Sequence, residues 1–243
     1  MDEVSAYGEV MCTILFRVHA GPDAAVLMAA VRDEFLDRPW SLPDRHWPDP
    51  NLVGGLDLIS GGTWLAVRTD RSAAAVLVNG PGEIPENPGS RGALPLRMLR
   101  RGVPTQDDVA NLPGFHLLHA EPGRAQVVSW DGHRLQTREV PAGNHTLTYG
   151  GLDDLEHARV RRFLPKLAGL ADDAWRTLLE HPEPSPAAQE ALLVNRLEAG
   201  RPYGSTSAAL VSVRQDGLTY DFTADPQTPE TWLRVTDHVR NHR

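Results

Sequence analysis

Apolar positions fall first into short runs broken by turn residues, then into a helical spacing, and finally into short runs again. The first run, CTILFRVH from Cys12 to His19, meets a breaker at Ala20-Gly21-Pro22-Asp23 and is followed by AAVLMAAV up to Val31. Apolar runs of this length, bounded by Gly, Pro and Asp, predict two strands joined by a short turn. TWLAVRT and AAAVLVN, separated by Asp70-Arg71-Ser72, predict a second hairpin. Between the hairpins, residues 37–62 are dense in Pro, Gly, Asp and Trp and predict long ordered loops, which commonly carry function. Residues 80–92 predict another loop, and LPLRMLRR a short helix with Pro95 in its first turn, where a missing N–H costs nothing.

FHLLHAE, AQVVSW and HRLQTREV then predict strands, the last two turning at Asp131-Gly132. Over about 152–198 the period changes. Leu155, Val160, Phe163, Leu164 and Leu167 share a helical face, and Trp175, Leu178 and Leu179, then Leu192, Leu193 and Leu197, predict two further helical segments. After Tyr203-Gly204 the strands SAALVSVRQ and LTYDFTA return, and TPETWLRVTDHVRNH predicts a terminal helix with Thr228 as N-cap and Pro229 at its first position. Hairpins dominate, so the sheets should be antiparallel and the class α+β, with helices covering two sheets. The organisation expected is one domain over 12–243, preceded at 1–11 by a separable leader or by a start set upstream of the true one.

Composition narrows the function classes. The net charge of -8 argues against nucleic acid or an anionic membrane as partner, since both require concentrated positive surface. An uncharged or mixed ligand fits better, and the partner expected is a small-molecule substrate or hydrophobic ligand. No apolar segment approaches membrane-spanning length, so no insertion is expected. A single cysteine excludes an intrachain disulfide and suits a reducing compartment, which places the protein in the cytoplasm.

Cys12 directly follows Met11. If Met11 were the start and were removed, Cys12 would carry a thiol and a free α-amine whose ordinary pKa of roughly 7.7–8.0 lets it take the thiol proton near neutral pH. The alternative is a small buried core residue, the usual fate of a free cysteine. Arg32-Asp33-Glu34 ends the second strand, which in a hairpin returns beside Cys12. Arg32 there would lower the thiol pKa, and Asp33 would hold the ammonium or orient water; a solvated salt-bridge cluster is the alternative. Asn79 ends a strand before a glycine-rich loop and is either an oxyanion donor or a turn residue. His116 and His119, three apart on a strand, point to opposite faces and cannot share a metal; no metal site is expected. The arginine-rich LRMLRR and ARVRRF segments are expected on solvated helix faces.

Met11-Cys12-Thr13, Val31-Arg32-Asp33-Glu34 with Arg38-Pro39 behind it, Gly61-Gly62-Thr63-Trp64-Leu65 and Ser90-Arg91-Gly92 together resemble the NRDE family (transport and Golgi organisation 2-like), over most of residues 11–215. The resemblance implies a four-layer αββα sandwich related to N-terminal-nucleophile (Ntn) hydrolases. From the related choloylglycine and penicillin V acylases it implies Cys12, Arg32, Asp33 and Asn79 as catalytic positions; Glu34, Trp64, Arg91 and Tyr149 are the substrate-binding positions expected beside them. The chain departs from the family pattern at Val31, where asparagine leads the motif, and at Gly80-Pro81-Gly82, where Tyr-Arg-Asp is usual. Tyr149 stands in place of asparagine and Thr206 in place of arginine. Two functions follow as expectations. One is a hydrolase or acyltransferase acting on a non-peptide C–N bond with no cofactor; the other is a non-catalytic carrier of haem or another hydrophobic small molecule, since family members have been linked to haem trafficking.

Overall fold

The computed structural model describes residues 12–185, 187–228 and 232–241. The expected leader at 1–11 and Pro229 lie outside them. In chain order the strands are β1 (Thr13–His19), β2 (Ala25–Phe35), β3 (Trp40–Asp44), β4 (Leu52–Asp57), β5 (Leu65–Arg68), β6 (Ala73–Asn79), β7 (Phe115–Glu121) and β8 (Arg124–Trp130). They continue with β9 (Leu135–Val140), β10 (Gly143–Thr148), β11 (Gly151–Leu152), β12 (Asn195–Glu198), β13 (Arg201–Arg214), β14 (Gly217–Thr223) and β15 (Leu233–Arg234). The helices are α1 (Leu94–Arg101), α2 (Gln106–Val109), α3 (Ala158–Leu167), α4 (Trp175–Glu180) and α5 (Val235–Asn241).

Among the described residues the strands form two antiparallel sheets. One runs β11-β10-β1-β2-β13-β14-β15 with β12 added to β13, and the other runs β3-β4-β5-β6-β7-β8-β9. The class is α+β. Alternation along each strand supplies the packing: Ile14, Phe16, Met28 and Val211 of the first sheet meet Val53, Leu65, Val76, Leu118 and Val127 of the second in one shared core. The opposite faces are covered by helices. Leu94, Leu96, Met98 and Leu99 of α1 and Val109 of α2 pack with Leu52, Phe115, Leu117 and Val128. On the other side Phe163 and Leu167 of α3, with Trp175 and Leu179 of α4, pack with Leu15, Leu27, Ala29 and Leu210. Strand β2 lies between β1 and β13 and is sandwiched on both faces, so its run from Ala25 to Val31 is apolar without a break.

Three expectations need correction. Residues 37–62 are not all loop: β3 and β4 pair there, with an irregularity between Ser41 and Asp44 that accommodates Pro43 at the edge of the sheet. The third helical segment is absent; Leu192 is buried without helix, while Leu197 lies on β12 at 72% exposure. Its hairpin partner is reached through Ala199 and Gly200, both at positive φ (48° and 77°), a turn that alanine does not advertise. The terminal helix begins at Val235, whereas the Thr228 hydroxyl bonds back to the Asp225 carboxylate 2.7 Å away rather than capping it.

Candidate functional site

The β1–β2 register sets Thr13 opposite Val31, which brings Cys12 next to Arg32-Asp33-Glu34 at one end of the sheets. A cleft of about 560 Å³ opens there, and Cys12, Arg32, Asp33, Glu34, Trp64, Asn79 and Arg91 all contribute to its wall. Tyr149 does not: it lines a separate cleft with Asp154 and His157. Its carbonyl accepts a 3.0 Å bond from His116 Nε2, whose Nδ1 meets Ser129 Oγ at 2.8 Å, so the loop after β10 is tied to β7. Burial holds the His116 imidazole below its ordinary pKa, consistent with a neutral ring donating through Nε2.

Period 2 along β2 divides the Arg32-Asp33-Glu34 charges. Arg32 and Glu34 project to the inter-sheet side. The Arg32 guanidinium lies over the Trp64 ring at 4.5 Å, donates to Thr206 Oγ1 at 2.8 Å, and stands 3.5 Å from Asp57 and 3.6 Å from Glu34. Arg38 grips Asp57 with Nε and Nη2 at 2.6 and 3.1 Å. Asp57 also accepts from the amides of Ile59 and Ser60, which fixes the loop at the cleft mouth. Burial opposes the Asp57 charge, but the Arg38 and Ser60 bonds outweigh it and hold the carboxyl below its usual range.

The Asp33 side chain takes the other direction. It accepts from Arg159 Nη1 at 2.9 Å and Ser205 Oγ at 2.6 Å, and Arg159 also donates to Thr13 Oγ1 at 2.6 Å. Neither Arg159 nor the Asp33 side chain is exposed to solvent. Arg159 lies in the first turn of α3, within the ARVRRF segment expected on a solvated face; that expectation fails for Arg159 while Arg161 is exposed. Sequence alone gave no signal for it, because a basic residue in an arginine-rich helix is ordinarily wet.

The Cys12 thiol donates a long bond of 3.7 Å to the Asp33 carbonyl. The residue is half-buried, yet its sulfur is enclosed, and this burial, reinforced by the Asp33 charge and only partly offset by Arg32, pushes the thiol up to about 11. Asn79 pairs with Phe115 at the end of β6, and its side-chain amide makes no hydrogen bond to any described residue. Two glycine contacts position the rest of the wall. A Cβ on Gly55 would stand 2.4 Å from the Trp64 ring, and one on Gly62 only 2.3 Å from the Gly92 carbonyl carbon, so the Gly61-Gly62-Thr63 and Ser90-Arg91-Gly92 segments touch backbone to backbone. A 2.8 Å bond from Thr63 N to Gly92 O locks them together.

Among the described residues no group of three or more His, Cys, Asp or Glu side chains is placed to hold a metal, and no helix is long and apolar enough to cross a membrane.

Fold and site together define a two-sheet antiparallel α+β protein whose polar end-cleft holds a lone thiol between arginines and carboxylates. Residues 11–177 match the family described as Transport and Golgi organisation 2, and the chain belongs to that family. It is similar to the "Transport and Golgi organization 2 homolog" of Mus musculus, 31% identical over 144 residues that make up 51% of this chain and 51% of that protein. It is also similar to the "Transport and Golgi organization protein 2 homolog" of Homo sapiens, 28% identical over 140 residues with the same coverage of both chains, 51%. The chain thus spans about half the length of the relatives it matches.

Proposed function

We propose that the cleft at Cys12 is the site of a cysteine amidohydrolase or acyltransferase acting on a non-peptide C–N bond, carried by an Ntn-hydrolase-like αββα sandwich formed by residues 12–243. Two facing antiparallel sheets with helices on both outer faces support the sandwich. The observation that carries the chemistry is the pairing, in one cleft wall, of the Cys12 thiol with the Asn79 amide, which has no described protein partner to compete for it. The reading requires that Met11, where the family match begins, be removed so that Cys12 carries an α-amine.

In the proposed cycle the α-amine takes the thiol proton and sulfur attacks the amide carbonyl carbon. Asn79 donates to the resulting oxyanion, a contact typically worth roughly 3 kcal/mol in the transition state. The C–N bond breaks as the ammonium returns its proton to the leaving nitrogen, and a thioester remains on Cys12. Water then loses a proton to the amine and attacks the thioester; sulfur leaves and recovers that proton, and the acid departs. Arg32 steadies the developing thiolate, and Asp33, held by Arg159 and Ser205, fixes the carbonyl to which the resting thiol donates.

A chain beginning at Met11 and matured to Cys12 should hydrolyse N-acyl amide probes, with a rate that rises as pH passes through the amine pKa of roughly 7.7–8.0. Cys12→Ala should abolish this and Cys12→Ser leave a trace at most. A chain that retains residues before Cys12 lacks the local base and keeps a thiol near 11, so it should be almost silent. Equal turnover by the two chains would remove the amine from the mechanism, and unchanged turnover in Cys12→Ala would remove the nucleophile.

A carrier of haem or another hydrophobic ligand has weaker support. The cleft wall offers the side chains of Arg32, Arg38, Arg91, Glu34 and Asp57 and no histidine, and an apolar ligand would have to displace water from the exposed ones among these charges.

A further inference from the structure

The charges of the cleft do not balance locally. Its wall carries Arg32, Arg38 and Arg91 against Asp33, Glu34 and Asp57. Asp33 is neutralised from behind by Arg159, while Glu34 and Asp57 answer Arg32 and Arg38. Arg91 is left over. Its guanidinium spends Nη1 on the Gly114 carbonyl at 2.7 Å, and no described carboxylate comes within ion-pair distance. A surplus cation in a cleft of a protein whose net charge is -8 is a local feature that the overall charge does not explain.

The anchoring is rigid. Arg91 sits between Ser90, whose hydroxyl accepts from Gly92 N at 3.1 Å, and Gly92, which is pinned to Thr63 and pressed against Gly62. With Nη1 committed, Nε and Nη2 make no hydrogen bond to any described residue and form the edge that takes a carboxylate through two parallel bonds. Ile59, Leu77, Pro88 and Pro113 line the same cleft and offer apolar surface beside this cation.

We infer that Arg91 is a specificity-determining residue that selects amide substrates bearing a free carboxylate, of the N-acyl amino acid class, with the acyl chain lying along Ile59, Leu77, Pro88 and Pro113. The inference rests on the amidohydrolase reading for its substrate class, but the carboxylate site is tested without turnover. Calorimetry on the Cys12→Ala protein compares N-octanoylglycine with N-octanoylglycinamide, which differ only in that charge. The acid should bind about tenfold to a hundredfold more tightly, as a charge-assisted hydrogen bond gives. Arg91→Gln should erase the difference, and Arg91→Lys, which keeps the cation, should restore part of it; melting curves establish that both variants are folded.

Equal affinity for the two probes, saturable binding of neither, or a preference that survives Arg91→Gln in the folded protein overturns the inference. A carboxylate preference that depends on Arg91 sustains it even if the mature chain hydrolyses neither probe, in which case only the hydrolase reading falls. Hydrolysis of both probes at equal efficiency leaves that reading standing and removes this one.

Discussion

Asp33 and its neighbours Arg32 and Glu34 occupy consecutive positions on β2, yet they belong to two different electrostatic regions. Asp33 is enclosed on the helix side with Arg159, Thr13 and Ser205, all buried. Arg32 and Glu34 face the cleft, where Arg38 is 31% exposed and Glu34 26%. The alternation of a strand thus turns one charged tripeptide into a dry cluster on the helix side and, on the cleft side, a buried Arg32 bordered by the wetter rim of Glu34 and Arg38. A dry charge depends on its partner, because removal of one leaves the other stranded; a wet charge is rehydrated when its partner goes. Cys12 sits at the junction, bonded to the Asp33 backbone and within the field of Arg32.

The dry cluster should give the largest response. Arg159→Ala strands the Asp33 carboxylate in the interior and should cost about 3–5 kcal/mol, read as a fall of roughly 10 °C or more in melting temperature. Replacing Asp33 as well, as Asp33→Asn with Arg159→Met, should return a substantial part of that loss. A single Arg159→Ala that melts like the parent would show that water reaches the cluster, and the division into two regions would collapse.

How far these regions were legible in sequence follows the same line. The hairpin of β1 and β2 was readable from its apolar runs and its Gly21-Pro22-Asp23 turn, and that alone placed Arg32 and Asp33 beside Cys12. The split between them was implicit in the strand period. The dry cluster itself was not readable, because its cation arrives from Arg159, 126 residues from Asp33, on a helix whose charge pattern suggests solvent. The third contributor, Ser205, stands at an irregularity of β13 between Ser205 and Ser207, which no local signal marks. Likewise β3 and β4 were hidden, since Pro43, Gly54 and Gly55 look like loop residues. Glycine is required at 54 and 55 because a Cβ there would strike the Leu65 carbonyl at 2.4 Å and the Trp64 ring.

The thiol measures which region governs the junction. With residues retained before Cys12, burial and Asp33 dominate over Arg32 and hold the thiol near 11. Against a free cysteine of pKa about 8.5, its thiolate fraction at pH 7 should be lower by two to three orders of magnitude, and alkylation by iodoacetamide correspondingly slow. The rate should climb with pH well past 9. A rate at pH 7 comparable with that of a free cysteine would mean that Arg32 on the cleft side, not the dry cluster, sets the thiol.

Acid should loosen the rim through Asp57. Its carboxyl lies below its ordinary range in the folded protein, so its contribution is complete above an unfolded value of about 3.9 and is lost as pH falls through the lower folded value. Stability measured by denaturant titration should therefore decline below about pH 4, and Asp57→Asn should make that decline shallower while lowering stability at pH 7. If the acid decline were identical in Asp57→Asn, other carboxylates would account for it.

The smallest effect is expected from Arg38→Ala. Arg38 holds Asp57 through two bonds and stands 3.6 Å from Glu34, which on paper is a richer set of contacts than Arg159 makes to Asp33. The ranking reverses because Arg38 is itself 31% exposed, so water and salt reach its side of the pair, and Arg32 together with the amides of Ile59 and Ser60 still attends the buried Asp57 after Arg38 is gone. The loss should be about 0.2–1 kcal/mol at low salt and should shrink further as ionic strength is raised. Because the loop from Asp57 to Gly62 forms part of the cleft mouth, the same substitution should alter ligand affinity more than it alters melting. A cost that matched Arg159→Ala and ignored salt would place Arg38 in the dry cluster and erase the boundary drawn along β2.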